Sequence, residues 1–153
     1  MARGASFGWV RGPFELLASI PPGVIYVFEG EPLPVYATKE FARFARREGI
    51  DDRRLRDAVD RAERGLIDTD LRAGLIKQRI ARKGQGRRGG FRVLAAFRRS
   101  HRCVFLYGFP KSERENIEDD ELAHWHTVAS AYLSMSPDKL EELIVTDELR
   151  EVM

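Results

Sequence analysis

Two short segments in the first half of the chain repeat apolar residues at a helical period. The first predicted helix begins after Thr38 and ends at Gly49, and the second begins at Asp51 or Asp52 and ends at Gly65. The capping residues and glycines mark the ends of both helices. Their apolar faces consist of Phe41, Phe44 and Ala45 in the first and Leu55, Ala58, Val59 and Ala62 in the second.

The pattern then changes to alternation of apolar and polar residues, which predicts β-strands. The predicted strands are residues 75–81, 91–97 and 103–109, with a turn at 98–102 that joins the last two as a hairpin. In the first strand Ile76 and Ile80 share one face, and Lys77 and Arg79 share the other. In the second, Arg92 lies opposite the apolar face.

Helical periodicity returns from about Glu118, and Ser136 with Pro137 opens a last short helix. The apolar stripes of these helices are Leu122, Trp125, Val128, Ala129 and Tyr132, followed by Leu140, Leu143 and Ile144. With a first strand at 35–37, the order of elements predicts an α+β fold. Two N-terminal helices pack on an antiparallel sheet, C-terminal helices follow, and the helices cover one face of the sheet only.

Residues 1–34 differ from the rest, because they are rich in glycine and proline and lack a helical period. A short strand at 24–28 is the one element that they suggest. We interpret 1–34 as an N-terminal extension of uncertain status and 35–153 as a single domain. Arg11 and Glu15 interrupt the start of the chain, and no apolar run approaches the roughly 20 residues that span a bilayer. A cytoplasmic protein without membrane contact is expected.

The distribution of charge narrows the class of partner. Residues 74–114 hold twelve Lys or Arg and one acid, although the whole chain carries a net charge of only +2. The 39 residues after this segment hold two basic residues and eleven acids. Because the basic surplus falls on predicted strands, it forms a positive face that suits a phosphate backbone.

Several basic residues of this segment are candidates for one common site. Lys77 and Arg79 are neighbours on one strand face, where a purely structural role would leave two like charges solvated. Convergence with other cations favours phosphate binding instead; these are Arg92 on the next strand, Arg87 and Arg88 in the loop, and Lys111 and Arg114 after the third strand. Tyr107 near the same end is either a core residue or a platform for a base.

Other motifs in the chain indicate neither a cofactor nor a metal. Residues 84–89 match the dinucleotide pattern GxGxxG, but they precede a predicted strand, whereas that motif must open a helix. His124 and His126 are two apart on a helix and therefore lie on different faces. Cys103 is the only cysteine and is expected to be a buried structural thiol, so an internal disulfide is excluded.

Two runs of sequence resemble a known family. They read LIKQRIARKGQGRRGGFRVLAAFR and VFLYGFPKSEREN. Together they resemble the RelE/ParE superfamily of toxins from type II toxin–antitoxin systems, and within it the RelE/HigB-like branch. The shared features are a basic strand, a GG-aromatic-R motif and a Y-x-x-x-K element on the final strand. The resemblance covers residues 35–120.

The resemblance implies a ribosome-dependent mRNA endonuclease (an mRNA interferase) that inhibits translation. In such toxins the ribose 2′-hydroxyl attacks the adjacent phosphate, and neither a metal nor a cofactor takes part. Lys77 or Arg79 would orient and polarise the phosphate, and Arg92 would stabilise the phosphorane charge. Lys111 and Arg114 match the basic residues that follow the last strand. One departure is that the segment after that strand, SERENIEDDE, lacks the Tyr or His of several members.

The implied partners are the ribosome, mRNA and a cognate antitoxin with a helix-turn-helix DNA-binding domain. Two other function classes stay open: a ParE-like inhibitor of DNA gyrase, and a non-catalytic module that binds RNA or the ribosome. Lys77, Arg79 and Arg92 together favour the nuclease over the gyrase inhibitor. The acidic C-terminal region is expected to be a packed helix, with folding back over the basic face as the alternative.

Overall fold

The fold is seen in a computed structural model, which describes residues 32–82, 84, 89–113 and 116–153. The strand suggested at 24–28 lies outside the described residues. Residues from Leu33 to Met153 form one folded unit. Its elements are β1 (Val35–Thr38), α1 (Lys39–Glu48), α2 (Asp52–Glu63), β2 (Thr69–Asp70), β3 (Leu75–Ile80), β4 (Phe91–Arg98), β5 (Arg102–Pro110), α3 (Asp119–Ser134), α4 (Pro137–Val145) and β6 (Leu149–Glu151).

The helices begin where the predicted capping residues stand. The Thr38 hydroxyl accepts a hydrogen bond from the backbone N–H of Phe41 at 3.2 Å, and α1 ends at Gly49 with a φ of 71°. The carboxylate of Asp51 and the hydroxyl of Ser136 cap α2 and α4 in the same way. These helix predictions are confirmed, because each depended on local chemistry that the sequence displays directly.

One six-stranded sheet, in the order β2-β3-β4-β5-β1-β6, organises the described part of the chain. Neighbouring strands are antiparallel except β1 and β5, which pair in parallel. The predicted α+β class is confirmed. The predicted antiparallel pairing is observed for the three central strands, whereas β1 departs from it, because the chain crosses through helices and further strands before β5 lies beside β1.

Helices cover both faces of the sheet, so the prediction that only one face is covered was wrong. Helices α1 and α2 pack on one face, where the rings of Phe41 and Phe105 stack with centroids 5.1 Å apart. Helices α3 and α4 pack on the other face, which carries a second buried cluster. That cluster contains Leu75, Leu94, Ala96, Val104, Leu106, Ala129, Leu133, Leu140 and Leu149. Apolar residues therefore occupy both faces of β4.

A buried glutamine connects α2 and the following loop to the sheet. The side-chain amide of Gln78 donates to the carbonyls of Ala58 and Leu66 at 3.0 and 3.3 Å. Its carbonyl accepts from the backbone N–H of Asp68 at 2.7 Å. Because a buried polar group needs partners, these three bonds fix the Asp68 loop against β3.

Side chains of α2 form hydrogen bonds to backbone groups near both ends of the folded unit. Arg56 donates to the carbonyls of Leu33 and Val152 at 2.9 and 2.8 Å. Asp52 accepts two bonds from the Arg150 guanidinium, at 2.9 and 3.1 Å, and one from the last backbone N–H. These bonds lower the pKa of Asp52, with the Arg150 bond as the main cause and partial burial opposing it.

The Asp52–Arg150 pair gives a prediction about stability and pH. A carboxyl whose pKa is lowered by folding stabilises the protein above its unfolded pKa of about 4 and loses this effect as pH falls through the folded pKa. Because the Arg150 side chain is 41% exposed, we expect Asp52→Asn to lower the free energy of unfolding by only about 1 kcal/mol at neutral pH.

Urea unfolding at neutral pH and in acid below the folded pKa measures this effect. The difference between Asp52→Asn and wild type should vanish in acid. Asp60→Asn is the control, since Asp60 is exposed on the same helix and its side chain forms no ion pair among the described residues. A difference that persists unchanged in acid would contradict the assignment.

Two further expectations concern Cys103 and the membrane. Cys103 is buried, as predicted, and desolvation strongly raises the pKa of its thiol. Among the helices of the described ranges, none has both the length and the apolar character to cross a bilayer.

Candidate functional site

The predicted cations of β3 and β4 meet at one end of the sheet. Arg79 pairs directly with Arg92, which in turn pairs with Phe109. One row further along, Lys77 and Tyr107 pair with the same residue of β4. Directly paired residues project from the same face of a sheet, and the two rows are two residues apart. All five side chains therefore project from the face on which α3 also packs.

Arg79 and Arg92 place two positive charges directly opposite each other. Like charges in this position destabilise a sheet. The carboxylate of Asp68 offsets part of the repulsion, because it accepts from the Arg79 backbone N–H at 2.7 Å and lies 3.9 Å from the guanidinium. The Arg79 side chain is 49% exposed. A bound anion such as a phosphate would reduce the remaining repulsion.

Lys77 lies at the boundary between the exposed cations and α3. Its ammonium donates to the side-chain carbonyl of Asn116 at 3.3 Å. Asn116 precedes α3 in the chain, and no sequence pattern indicated its part in the site. This bond holds Lys77 beside Arg79 and Arg92, although the helix covers the middle of the same face.

Tyr107 is half-buried and has an aromatic partner within the protein. Its ring stacks on Trp125 of α3, with centroids 5.2 Å apart and planes inclined by 24°, and lies 5.9 Å from the ring of Phe109. A β-bulge between the rows of Leu94 and Ala95 lies next to Tyr107. Base stacking by Tyr107 stays a prediction, with one side of the ring already packed.

Glycine allows β4 to begin close to the end of β3. A Cβ on Gly90 would lie 2.7 Å from the carbonyl oxygen of Ile80. Gly90 also accepts a hydrogen bond from the backbone N–H of Lys111 at 3.0 Å, which places the start of that segment at the same end of the sheet. The close approach accounts for a glycine two residues before Arg92.

Three predicted substrate-binding residues, Arg87, Arg88 and Arg114, lie outside the described residues. The glycine-rich run that contains the first two is followed by β4. Since a dinucleotide fingerprint must open a helix, its rejection agrees with the structure. Within the described ranges, no group of three or more His, Cys, Asp or Glu side chains could hold a metal ion.

Sequence reasoning missed two arginines of α2 that reach the same end of β3. Arg61 donates to the carbonyl of Arg79, and Arg54 donates to the carbonyl of Ala81 at 3.3 Å. A helical pattern indicates which residues face the core, but it does not indicate which groups the guanidiniums of solvent-facing arginines contact. In the sequence both resemble an ordinary solvated helix face.

The arrangement as a whole can bind a phosphodiester and stabilise negative charge that develops on it. Lys77, Arg79 and Arg92 supply cationic donors on one face, and charge-assisted hydrogen bonds to phosphate are stronger than neutral ones. In a partly desolvated site such donors stabilise a transition state without reorganising.

Comparison with known proteins gave one family. A family model described as "RelE toxin of RelE / RelB toxin-antitoxin system" matches residues 33–152, which include every strand and helix of the described sheet unit. No curated protein matches the chain.

Proposed function

Because this chain belongs to the RelE toxin family, and is thus a toxin of a toxin–antitoxin system, we propose that it is a metal-independent, ribosome-dependent mRNA endonuclease. The proposed reaction is attack of a ribose 2′-hydroxyl on the adjacent phosphate. The P–O bond to the next nucleotide's 5′-oxygen breaks, leaving a 2′,3′-cyclic phosphate on one fragment and a 5′-hydroxyl on the other.

The observation that carries this proposal is the direct pairing of Arg79 with Arg92 beside Lys77. An inhibitor that only contacts another protein has no need for two facing guanidiniums at the end of a sheet, where they repel each other. A phosphodiester supplies the missing negative charge. The pentavalent phosphorane carries more negative charge than the substrate, so the same cations favour the transition state.

We assign the roles by position. Lys77 or Arg79 orients and polarises the scissile phosphate, and Arg92, in the centre of the row, stabilises the phosphorane. Tyr107 and Lys111 contact the flanking nucleotides. The stretch from Lys111 to Asp120 contains neither His nor Tyr, and in this proposal the cations contribute by stabilising charge on the phosphorane.

The family implies an antitoxin as partner. We propose further that this antitoxin has a helix-turn-helix DNA-binding domain, that the substrate is mRNA on the ribosome, and that the toxin acts in the cytoplasm. Binding of the antitoxin over Lys77, Arg79 and Arg92, or added bulk that blocks entry to the ribosome, would silence the nuclease.

Primer extension on a translated mRNA after brief induction tests the proposal. Discrete cuts within codons are the expected result. Double-strand DNA breaks without mRNA cuts would instead identify a gyrase inhibitor, and ribosome binding with neither would identify a non-catalytic module.

A further inference from the structure

A basic groove runs along the edge of β3 beside α2. Its volume is about 530 Å³. Among the described residues, four arginines and one carboxylate line it, together with Ala58, Ile80, Ala81 and Gly90. We call it the edge groove and define it by Arg54, Arg61, Arg79 and Arg92.

The edge groove exists because β2 is short. It pairs with β3 only through Thr69 and Asp70, opposite Lys77 and Ile76. Beyond that point, no strand of the described chain continues along the outer edge of β3. Side chains occupy the edge instead: Asp68 accepts from the backbone N–H of Arg79, and two α2 arginines donate to the carbonyls beyond.

These bonds hold the α2 guanidiniums in place without using all their donors. Arg54 uses one N–H for the carbonyl of Ala81, and Arg61 divides its donors between the carbonyl of Arg79 and the carboxylate of Asp68 at 3.4 Å. A guanidinium has five N–H donors in a planar fork. Both arginines can therefore donate to an anion from a fixed position, at a low cost in side-chain entropy.

Charge in the edge groove is unbalanced. Asp57 is the only acid among the described residues that line it, and Asp68 contacts two of the four arginines from outside. Among the described residues, no carboxylate lies within 4.0 Å of Arg54 or Arg92. The described residues of the groove thus carry more positive than negative charge.

Arg79 and Arg92 line the edge groove, and together with Lys77 they also project from the sheet face that we propose to be catalytic. We propose that the edge groove binds phosphates of the RNA strand that is being cut, on nucleotides that flank the scissile phosphate. This inference rests on the proposed nuclease function and extends its site from the sheet face to α2. Arg54 and Arg61 are substrate-binding residues in this account.

Salt-dependent binding of a short, fluorescently labelled, single-stranded 2′-O-methyl RNA tests the edge groove. This probe lacks the attacking hydroxyl, so binding is measured independently of cleavage. Each phosphate contact contributes about 0.7 to the slope of log K against log salt for single strands. We expect Arg54→Gln/Arg61→Gln to weaken binding and to reduce the slope by about 1.4.

The control is Arg53→Gln/Arg64→Gln, which removes the same charge from α2 and the residue that directly follows it. Both residues are exposed, and neither lines the edge groove. This variant should keep nearly the wild-type slope. Arg54→Gln alone loses a single 3.3 Å hydrogen bond, so it should remain folded, and it should reduce the slope by about 0.7.

Equal slopes for the groove and control variants would overturn the inference, as would a wild-type protein that does not bind the probe. If the groove variant lost affinity for ribosomes but bound the probe normally, the groove would contact ribosomal RNA and the inference would also be wrong. If mRNA were not cleaved but probe binding depended on Arg54 and Arg61, the proposed nuclease function would be wrong, and binding of RNA phosphates by the edge groove would be supported.

Discussion

Replacing Arg92 by alanine is expected to lower the rate of mRNA cleavage by about 100- to 1000-fold and to abolish growth inhibition, because one charge-stabilising donor typically contributes that much. Arg92 lies between Arg79 and Phe109 in one row of directly paired residues across the sheet. Its removal also ends the repulsion with Arg79, so the fold should not be weakened. Thermal unfolding of the purified variant checks the second expectation.

Arg98→Ala is the matched control for Arg92→Ala. Arg98 lies six residues along the same strand and projects from the same face, but it is exposed beside the hairpin turn, away from the row. The control should cleave at the wild-type rate. We expect Lys77→Ala and Arg79→Ala to be impaired like Arg92→Ala. If all three variants were fully toxic at matched expression, the assigned roles would be wrong.

Removing Ser136 to Met153 is expected to unfold the protein. The deleted segment contains α4 and β6 and buries Leu140, Leu149 and Val152, each at most 3% exposed. Burial of one such side chain contributes about 1.5–3 kcal/mol, so the three together approach the 5–15 kcal/mol that stabilises a typical domain. Loss of a cooperative urea transition in the truncated protein is the expected result.

The alternative is that the acidic C-terminal region folds back over the cations and weakens RNA binding. The sheet order argues against this, because β6 forms one edge of the sheet and β3 lies near the other. A soluble, stably folded truncation that binds ribosomes more tightly, with a steeper salt dependence, would establish the alternative.

A variant that keeps the fold separates the two accounts more cleanly than truncation. Glu141 and Glu142 are exposed on α4, so Glu141→Gln/Glu142→Gln should fold normally. The structural account predicts unchanged affinity for ribosomes, and self-inhibition predicts tighter binding.

Local chemistry made the helices and the central strands predictable. Thr38, Asp51 and Ser136 are capping residues that predict where helices begin. The alternation of apolar and polar residues around Lys77 assigns side chains to the two faces of a strand without any knowledge of the fold. The same alternation predicted that Lys77, Arg79 and Arg92 share a face. Their meeting in adjacent rows then follows from the register of β3 and β4.

Long-range packing was not predictable in this way. Leu94 and Ala96 make the second face of β4 apolar, and this feature was the available sign that α3 and α4 cover it. The turn predicted at 98–102 includes Arg102, yet this residue is buried and donates to the carbonyls of Tyr132 and Met135 at the end of α3, at 2.7 and 2.9 Å. These partners are 30 and 33 residues away in the sequence, so a local sequence pattern cannot predict the contact.

The remaining differences between the sequence-based predictions and the structure concern two short strands and two solvent-facing arginines of α2. β2 and β6 have two and three residues, too few for any periodicity. The positions of Arg54 and Arg61 depend on where α2 crosses the edge of β3, and the sequence of a helix does not encode that position locally.

Cleavage of an mRNA on purified ribosomes, with a single 2′-deoxynucleotide placed at the cut site, tests the central claim most directly. The account predicts a cut within the codon in the all-ribose mRNA, a 5′-hydroxyl on the downstream fragment, and no cut where the 2′-hydroxyl is missing. Arg92→Ala should lose the cut and Arg98→Ala should keep it. Cleavage that persists at the deoxynucleotide, or intact mRNA in the presence of the folded wild-type protein, would contradict the account.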